Sequence, residues 1–336
     1  MPDSVVTLSH GGGGETMRRF IRELFVREFG NPRLDALADS ALLDLPTAQV
    51  AFSTDSYVIK PLEFPGGDIG KLAVCGTVND LAVMGARPLC LSVGFILEEG
   101  LEFALLERVV QSMAREARAA GVEIVTGDTK VVPRGDCDGL FINTSGIGVR
   151  PLGHGLASEP IQDGDALLIS GTIGDHGVAV LTAREGLAFS TRIESDCASL
   201  AGLVGRVLES SRGVKWMRDP TRGGLAAVLT ELVEGRPFGA LIRETSVPVR
   251  EDVAAVCELL GFDPMHLANE GKVVIVADAR DADSILTLLR EHPLGTRAAV
   301  IGRIIAAGAG TVRVETAVGG LRRLQRPAGE LLPRIC

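Results

Sequence analysis

The chain alternates short apolar runs with longer segments in which apolar residues recur every three to four positions, the pattern of strands connected by helices. Residues 16–29 carry a helical period, and residues 48–52 read as a short apolar strand running into Ser53-Thr54-Asp55-Ser56. Asp55 is therefore expected at a strand's end. After Gly66-Gly67, Asp68 is placed to cap a helix through Ile69, Leu72, Cys75, Asn79 and Ala82. A second helix sets Leu106, Val109, Val110, Met113 and Ala117 on one face, with Gly121 at its end. That face belongs to the core. A strand over 122–125 then leads into Thr126-Gly127-Asp128-Thr129-Lys130, a second carboxylate expected at a strand end, and a strand over 140–147 follows.

Residues 150–164, rich in proline and glycine, read as a domain boundary. Beyond them come a strand over 166–170, a glycine-rich tight turn over 171–177 and a helix from Val178. Its glycine spacing is not that of a dinucleotide fold. Arg218-Asp219-Pro220-Thr221-Arg222-Gly223-Gly224-Leu225 opens another helix, whose N-terminus favours an anion or ordinary capping by Thr221. Asn269-Glu270-Gly271-Lys272 precedes a buried strand over 273–277. The expected organisation is α/β (α+β): a glycine-rich leader and helix over 1–38, an N-terminal domain over 39–150, a C-terminal domain over 151–324, and a tail over 325–336.

Composition narrows the class. With 336 residues, 46% hydrophobic and 23% charged, the chain can bury two cores, and a net charge of -9 argues against a nucleic-acid partner. Six cysteines without paired spacing suit a reducing, cytoplasmic compartment. No apolar run is long and charge-free enough to span a bilayer, so no membrane role is expected. The five histidines lack zinc spacing, so a metal would be held by carboxylates.

Those carboxylates are Asp55, Asp80, Asp128 and Asp219. Asp80 stands almost alone among apolar neighbours on its helix, where an ionised group needs a partner or a cation. Hard oxygen ligands suit Mg²⁺ held against phosphates. The run His10-Gly-Gly-Gly-Gly-Glu15, with Gly12, Gly13 and Gly14, suits a flap whose backbone amides close over them. This is a nucleotide site without a P-loop. The chain ends Pro333-Arg334-Ile335-Cys336 after a helix-hostile tether, and roughly ten extended residues reach about 33 Å, so the terminal thiol can enter a distant cleft.

The segments Asp68-Ile-Gly-Lys-Leu-Ala-Val-Cys-Gly-Thr-Val-Asn-Asp-Leu-Ala-Val-Met-Gly-Ala-Arg-Pro88, Gly127-Asp-Thr-Lys-Val131, Asp219-Pro-Thr-Arg-Gly-Gly-Leu225 and the terminal Pro-Arg-Ile-Cys resemble the HypE family of hydrogenase maturation proteins. Its wider superfamily includes aminoimidazole ribonucleotide synthetase, selenophosphate synthetase and thiamine-monophosphate kinase. The resemblance runs over essentially the whole chain. It implies ATP-dependent dehydration of a carboxamide, placed on Cys336 by the carbamoyltransferase HypF, to an S-cyano group. The cyanide then passes to iron on a HypC–HypD complex. Also implied are Glu270 as base and Lys130 steadying oxygen or phosphate, or the two with these roles exchanged, and nucleotide contacts from Lys71, Asn79, Gly127 and Thr129 besides the aspartates. Arg334 would lower the thiol's pKa or anchor the tail. A homodimer in which two four-stranded sheets close a barrel, with nucleotide near the interface, is implied as well. Two other readings stay open: a superfamily enzyme acting on a small molecule, and a nucleotide-binding scaffold presenting Cys336.

Overall fold

A computed structural model describes residues 4–11, 15–35, 49–150, 156, 160–186, 193–326, 332 and 335. Gly12, Gly13, Gly14, Arg334 and Cys336 lie outside the described residues. Helical residues 15–29, whose middle turn Ile21–Val26 is a π-helix, precede the first sheet. That sheet contains β1 (Val50–Tyr57), β2 (Arg87–Glu98), β3 (Glu123–Val132) and β4 (Leu140–Val149) in the order β1-β4-β2-β3. Only β2 and β3 run parallel. They are joined through helix α2 (Phe103–Ala120), while helix α1 (Ile69–Val83) connects β1 to β2.

Both helices start and stop as their sequences dictate. Asp68 accepts from the amides of Gly70 and Lys71 at 2.8 and 3.0 Å, and Gly121 closes α2 in the left-handed conformation. Helices α1 and α2 bury their apolar residues with one face of the sheet in a common core.

Asp55 and Asp128 are not at strand ends. β1 and β3 continue through their polar residues, because a strand half-exposed to water tolerates polar side chains on alternate positions. The two-residue period then separates them. Tyr57, two residues from Asp55, points at α1, where a Cβ on Gly76 would collide with its hydroxyl. Asp55 shares that face. Asp128 pairs across to Gly94 and then Asn143, on the opposite face with Phe52, Thr54, Ser56 and Ser145. There Ser145 Oγ donates to Thr54 Oγ1 at 2.8 Å, and Val50, Phe52 and Ile96 are exposed, Phe52 by 68%.

The second domain is built on seven strands: β5 (Ala166–Ile169), β6 (Val214–Arg218), β7 (Gly239–Arg243), β8 (Val274–Ala277), β9 (Ala299–Ile305), β10 (Val312–Glu315) and β11 (Leu321–Leu324). Their order is β11-β10-β7-β9-β5-β8-β6. The central strands β5 and β8 are buried throughout, which is why they read as continuous apolar runs. Leu167, Ile169, Val274 and Val276 face helix Gly224–Val233, whereas Ala166, Leu168, Ile275 and Ala277 face helices Ala201–Ser210 and Ala282–Arg290. Ala82 and Val83 of α1 join the latter layer, so the first domain's central helix also packs on the second.

Candidate active site

Helix α1 presents Lys71, Cys75 and Asn79 one turn apart to the second domain. The buried Asn79 amide donates to the carbonyls of Ala198 and Glu270 at 3.1 and 3.3 Å and accepts from Leu200 N–H at 2.7 Å. Its hydrogen-bonding groups join the domains. Lys71 donates to the Gly66 carbonyl at 3.2 Å.

The Asn269–Lys272 turn lies on this joint. Asn269 accepts from Gly174 N–H at 2.8 Å and donates to the Pro220 carbonyl at 2.9 Å, tying two loops together. Asp196 accepts from the amides of Glu270 and Gly271 and pairs with Lys272 at 3.0 Å. The turn leaves Glu270 only 4% exposed, and among the described residues its Oε1 has no hydrogen-bond partner. Such an orphaned carboxylate oxygen is expensive in a folded chain.

Glu270 lines one cavity with Asp55, Tyr57, Gly76, Asp80, Asp219 and Arg222. Ser53 Oγ donates to Asp80 at 2.6 Å and the Tyr57 hydroxyl to Asp55 at 3.3 Å. Burial, and next the charge of Asp80, lift the Asp55 carboxyl to about 6 and that of Asp219 to about 7. Burial, followed by Cys197 and Asp219, holds Glu270 well above the usual carboxylate range. Buried carboxyls this close raise one another's affinity for protons, and a bound cation would offset that mutual repulsion. Their hard oxygen donors suit Mg²⁺ in chemistry, although Asp55, Asp80 and Asp219 are not drawn together here into a ligand cluster.

The fourth expected ligand is elsewhere. Asp128 is on the other edge strand and the other face, about 14 Å away across the sheet. With it goes Lys130, 65% exposed and 3.4 Å from Asp128. Among the described residues no three histidine, cysteine, aspartate or glutamate side chains gather closely enough to hold a metal ion. Gly127 and Thr129, together with Asp128, line a second cavity of about 200 Å³ under the helical residues 15–29. Thr221 does not cap its helix: Gly223 does so in the left-handed conformation without a side-chain bond.

A residue with no expected role also borders the joint. His176, fully buried, bonds Ser195 through Nδ1 and the Ile335 carbonyl through Nε2, both at 2.8 Å. Ile335 is itself only 4% exposed, and it shares the apolar core of the first domain with Cys197 and Ala268. Ile335 thus lies in the interior of its own chain. Lone histidines give no sequence signal, but His176 lies between glycines at 174 and 177, which permit close packing around it.

Residues 37–150 match the N-terminal domain, and residues 162–315 the C-terminal domain, of AIR synthase related proteins. Carbamoyl dehydratase HypE of Rhodobacter capsulatus is 52% identical over 99% of both chains. The crystal structure of hydrogenase maturation protein HypE in complex with ATP superposes with a TM-score of 0.94 at 50% identity, covering 98% of this chain and 99% of the other. A chain of a HypE–HypF complex superposes at 0.80 and 47% identity, covering 92% and 99%.

Proposed function

The chain belongs to the HypE family of hydrogenase maturation proteins and is a carbamoyl dehydratase; from that premise we propose that it dehydrates a carboxamide carried on its own Cys336. Cys336–S–C(=O)NH₂ and ATP become Cys336–S–C≡N, ADP and phosphate. The carboxamide oxygen attacks the γ-phosphate, because an amide oxygen must become a phosphate ester before it can leave. Two N–H protons are then lost as phosphate departs with the former amide oxygen.

Glu270 is the base. The observation that carries this assignment is its buried, unpartnered Oε1 in the cavity of Asp55, Asp80 and Asp219. A carboxylate deprived of water and partners has raised basicity and a lone pair ready for an N–H. Mg²⁺, held by Asp55, Asp80 and Asp219, would neutralise charge on the transferring phosphoryl group. In this reading Gly12, Gly13 and Gly14 offer backbone amides to the phosphates, and Arg334 lowers the pKa of the neighbouring thiol or anchors the tail.

Asp128 and Lys130 join the site as a homodimer forms. The uncovered sheet face carries Phe52, Ile96 and both these residues, and pairing it with a second copy brings one subunit's β3 beside the other's β1. Lys130 then steadies phosphate or oxygen in the partner's cavity. HypF supplies the carboxamide, and the cyanide passes to iron on a HypC–HypD complex in the cytoplasm.

Intact mass tests the chemistry. Incubation with HypF, carbamoyl phosphate, ATP and Mg²⁺ should add about 43 Da before dehydration and about 25 Da after it. Cys336→Ala should gain neither adduct. Glu270→Gln should hold at the larger adduct, with dehydration slowed by about 10²-fold or more. Unmodified Cys336 with continuing ATP hydrolysis would overturn the reading.

A further inference from the structure

The bonds to the His176 ring fix its protons. A carbonyl can only accept, so Nε2 carries the hydrogen that reaches Ile335. A neutral imidazole has one N–H, so Nδ1 is the acceptor and the Ser195 hydroxyl donates to it. The Ser195 oxygen accepts in turn from the Cys197 amide at 3.1 Å, and the Ser195 amide is anchored to the Pro65 carbonyl at 2.8 Å. The Phe64 ring meets the imidazole edge-on, with centroids 5.5 Å apart. Burial lowers the His176 pKa, which favours the neutral form this pattern requires.

We propose that His176 is a positioning residue for the reaction, holding the backbone carbonyl of Ile335 and so fixing the chain one residue before Cys336. The inference rests on the reading of Cys336 as carrier of the reacting group. Ser195, through the Cys197 amide and the Pro65 anchor, keeps the ring in the correct tautomer and orientation. A grip on main chain one residue before the thiol does not depend on what the sulfur carries. Free thiol, carboxamide and cyano forms are all seated by the same bond.

The test uses the full-length chain. Alkylation of Cys336 by iodoacetamide is followed without ATP by peptide mapping, with the partly exposed Cys137 as internal reference. Single-turnover dehydration is then measured on carbamoylated protein. His176→Phe should raise Cys336 labelling roughly tenfold, the equivalent of one good hydrogen bond, and slow dehydration by a similar factor. His176→Gln, whose amide N–H can replace Nε2–H, should restore both. Ser195→Ala should move both in the direction of His176→Phe, and it carries the test should the phenylalanine variant fail to fold. Labelling in a folded His176→Phe or Ser195→Ala variant equal to the parent's would overturn the grip, as would His176→Gln labelling as fast as His176→Phe. If the parent dehydrates its tail while labelling is unmoved, the grip fails and the reading of Cys336 stands. If labelling follows expectation and no protein dehydrates, the grip stands and that reading falls.

Discussion

Glu270, Asp55 and Asp219 are carboxyls that folding has moved away from water, and for Asp55 and Asp219 the arginines nearby, Arg222 and Arg218, only partly offset that burial. Their raised affinity for protons is a stability term with a definite sign. Between the ordinary carboxylate pKa of 3.8 and about 7, the folded chain binds the Asp219 proton and the unfolded chain does not. Stability without metal or nucleotide should therefore fall as pH rises through this window. Thermal melts from pH 4.5 to 7.5 should show that fall, and Asp219→Asn should flatten it; a parent melting equally at both ends would contradict the assigned burial. Part of this site was legible. A lone Asp80 on an apolar helix signals a carboxylate under constraint, whereas Glu270 was marked only by its place before a buried strand and by the resemblance. His176 was not, because its significance depends on a carbonyl 159 residues away. Asn79 stood out as an amide among apolar residues, but only the folded joint shows that it links the domains.

At the scale of elements, the Asn269–Lys272 turn exists because position 271 has no side chain. A Cβ there would run into the Asp196 carbonyl, the residue whose carboxylate clamps the turn. Gly271→Ala should cost about 2 kcal/mol or more in chemical denaturation. Gly205→Ala, on helix Ala201–Ser210 with open space at its Cβ position, should instead stabilise by about 0.5–1 kcal/mol. Opposite signs for one substitution would test the packing directly. Periodicity disclosed α2, and burial on both faces disclosed β8 over all but one of the five residues expected. β1 and β3 outran their apolar stretches because inter-strand pairing, absent from local sequence, carries Ser53–Ser56 and Gly127–Lys130 as strand. That extension decided which face Asp128 occupies.

For the whole molecule, the separation of Asp128 and Lys130 from Asp55 makes a single chain an incomplete machine under the proposed reading. Phe52→Glu should shift sedimentation toward monomer and abolish dehydration. Lys130→Ala and Glu270→Gln, each impaired alone, should regain about a quarter of the parental sites when mixed and allowed to exchange subunits, as statistical pairing requires. No regain despite exchange would return both residues to the same chain's site. The buried Ile335 carries a different consequence. Because the arm is covalently part of the protein, a free peptide copying its last residues competes against a local concentration on the order of millimolar. An inhibitor that mimics the arm would start at that disadvantage. One that competes with the proposed nucleotide instead would face a freely diffusing rival, without that entropic handicap.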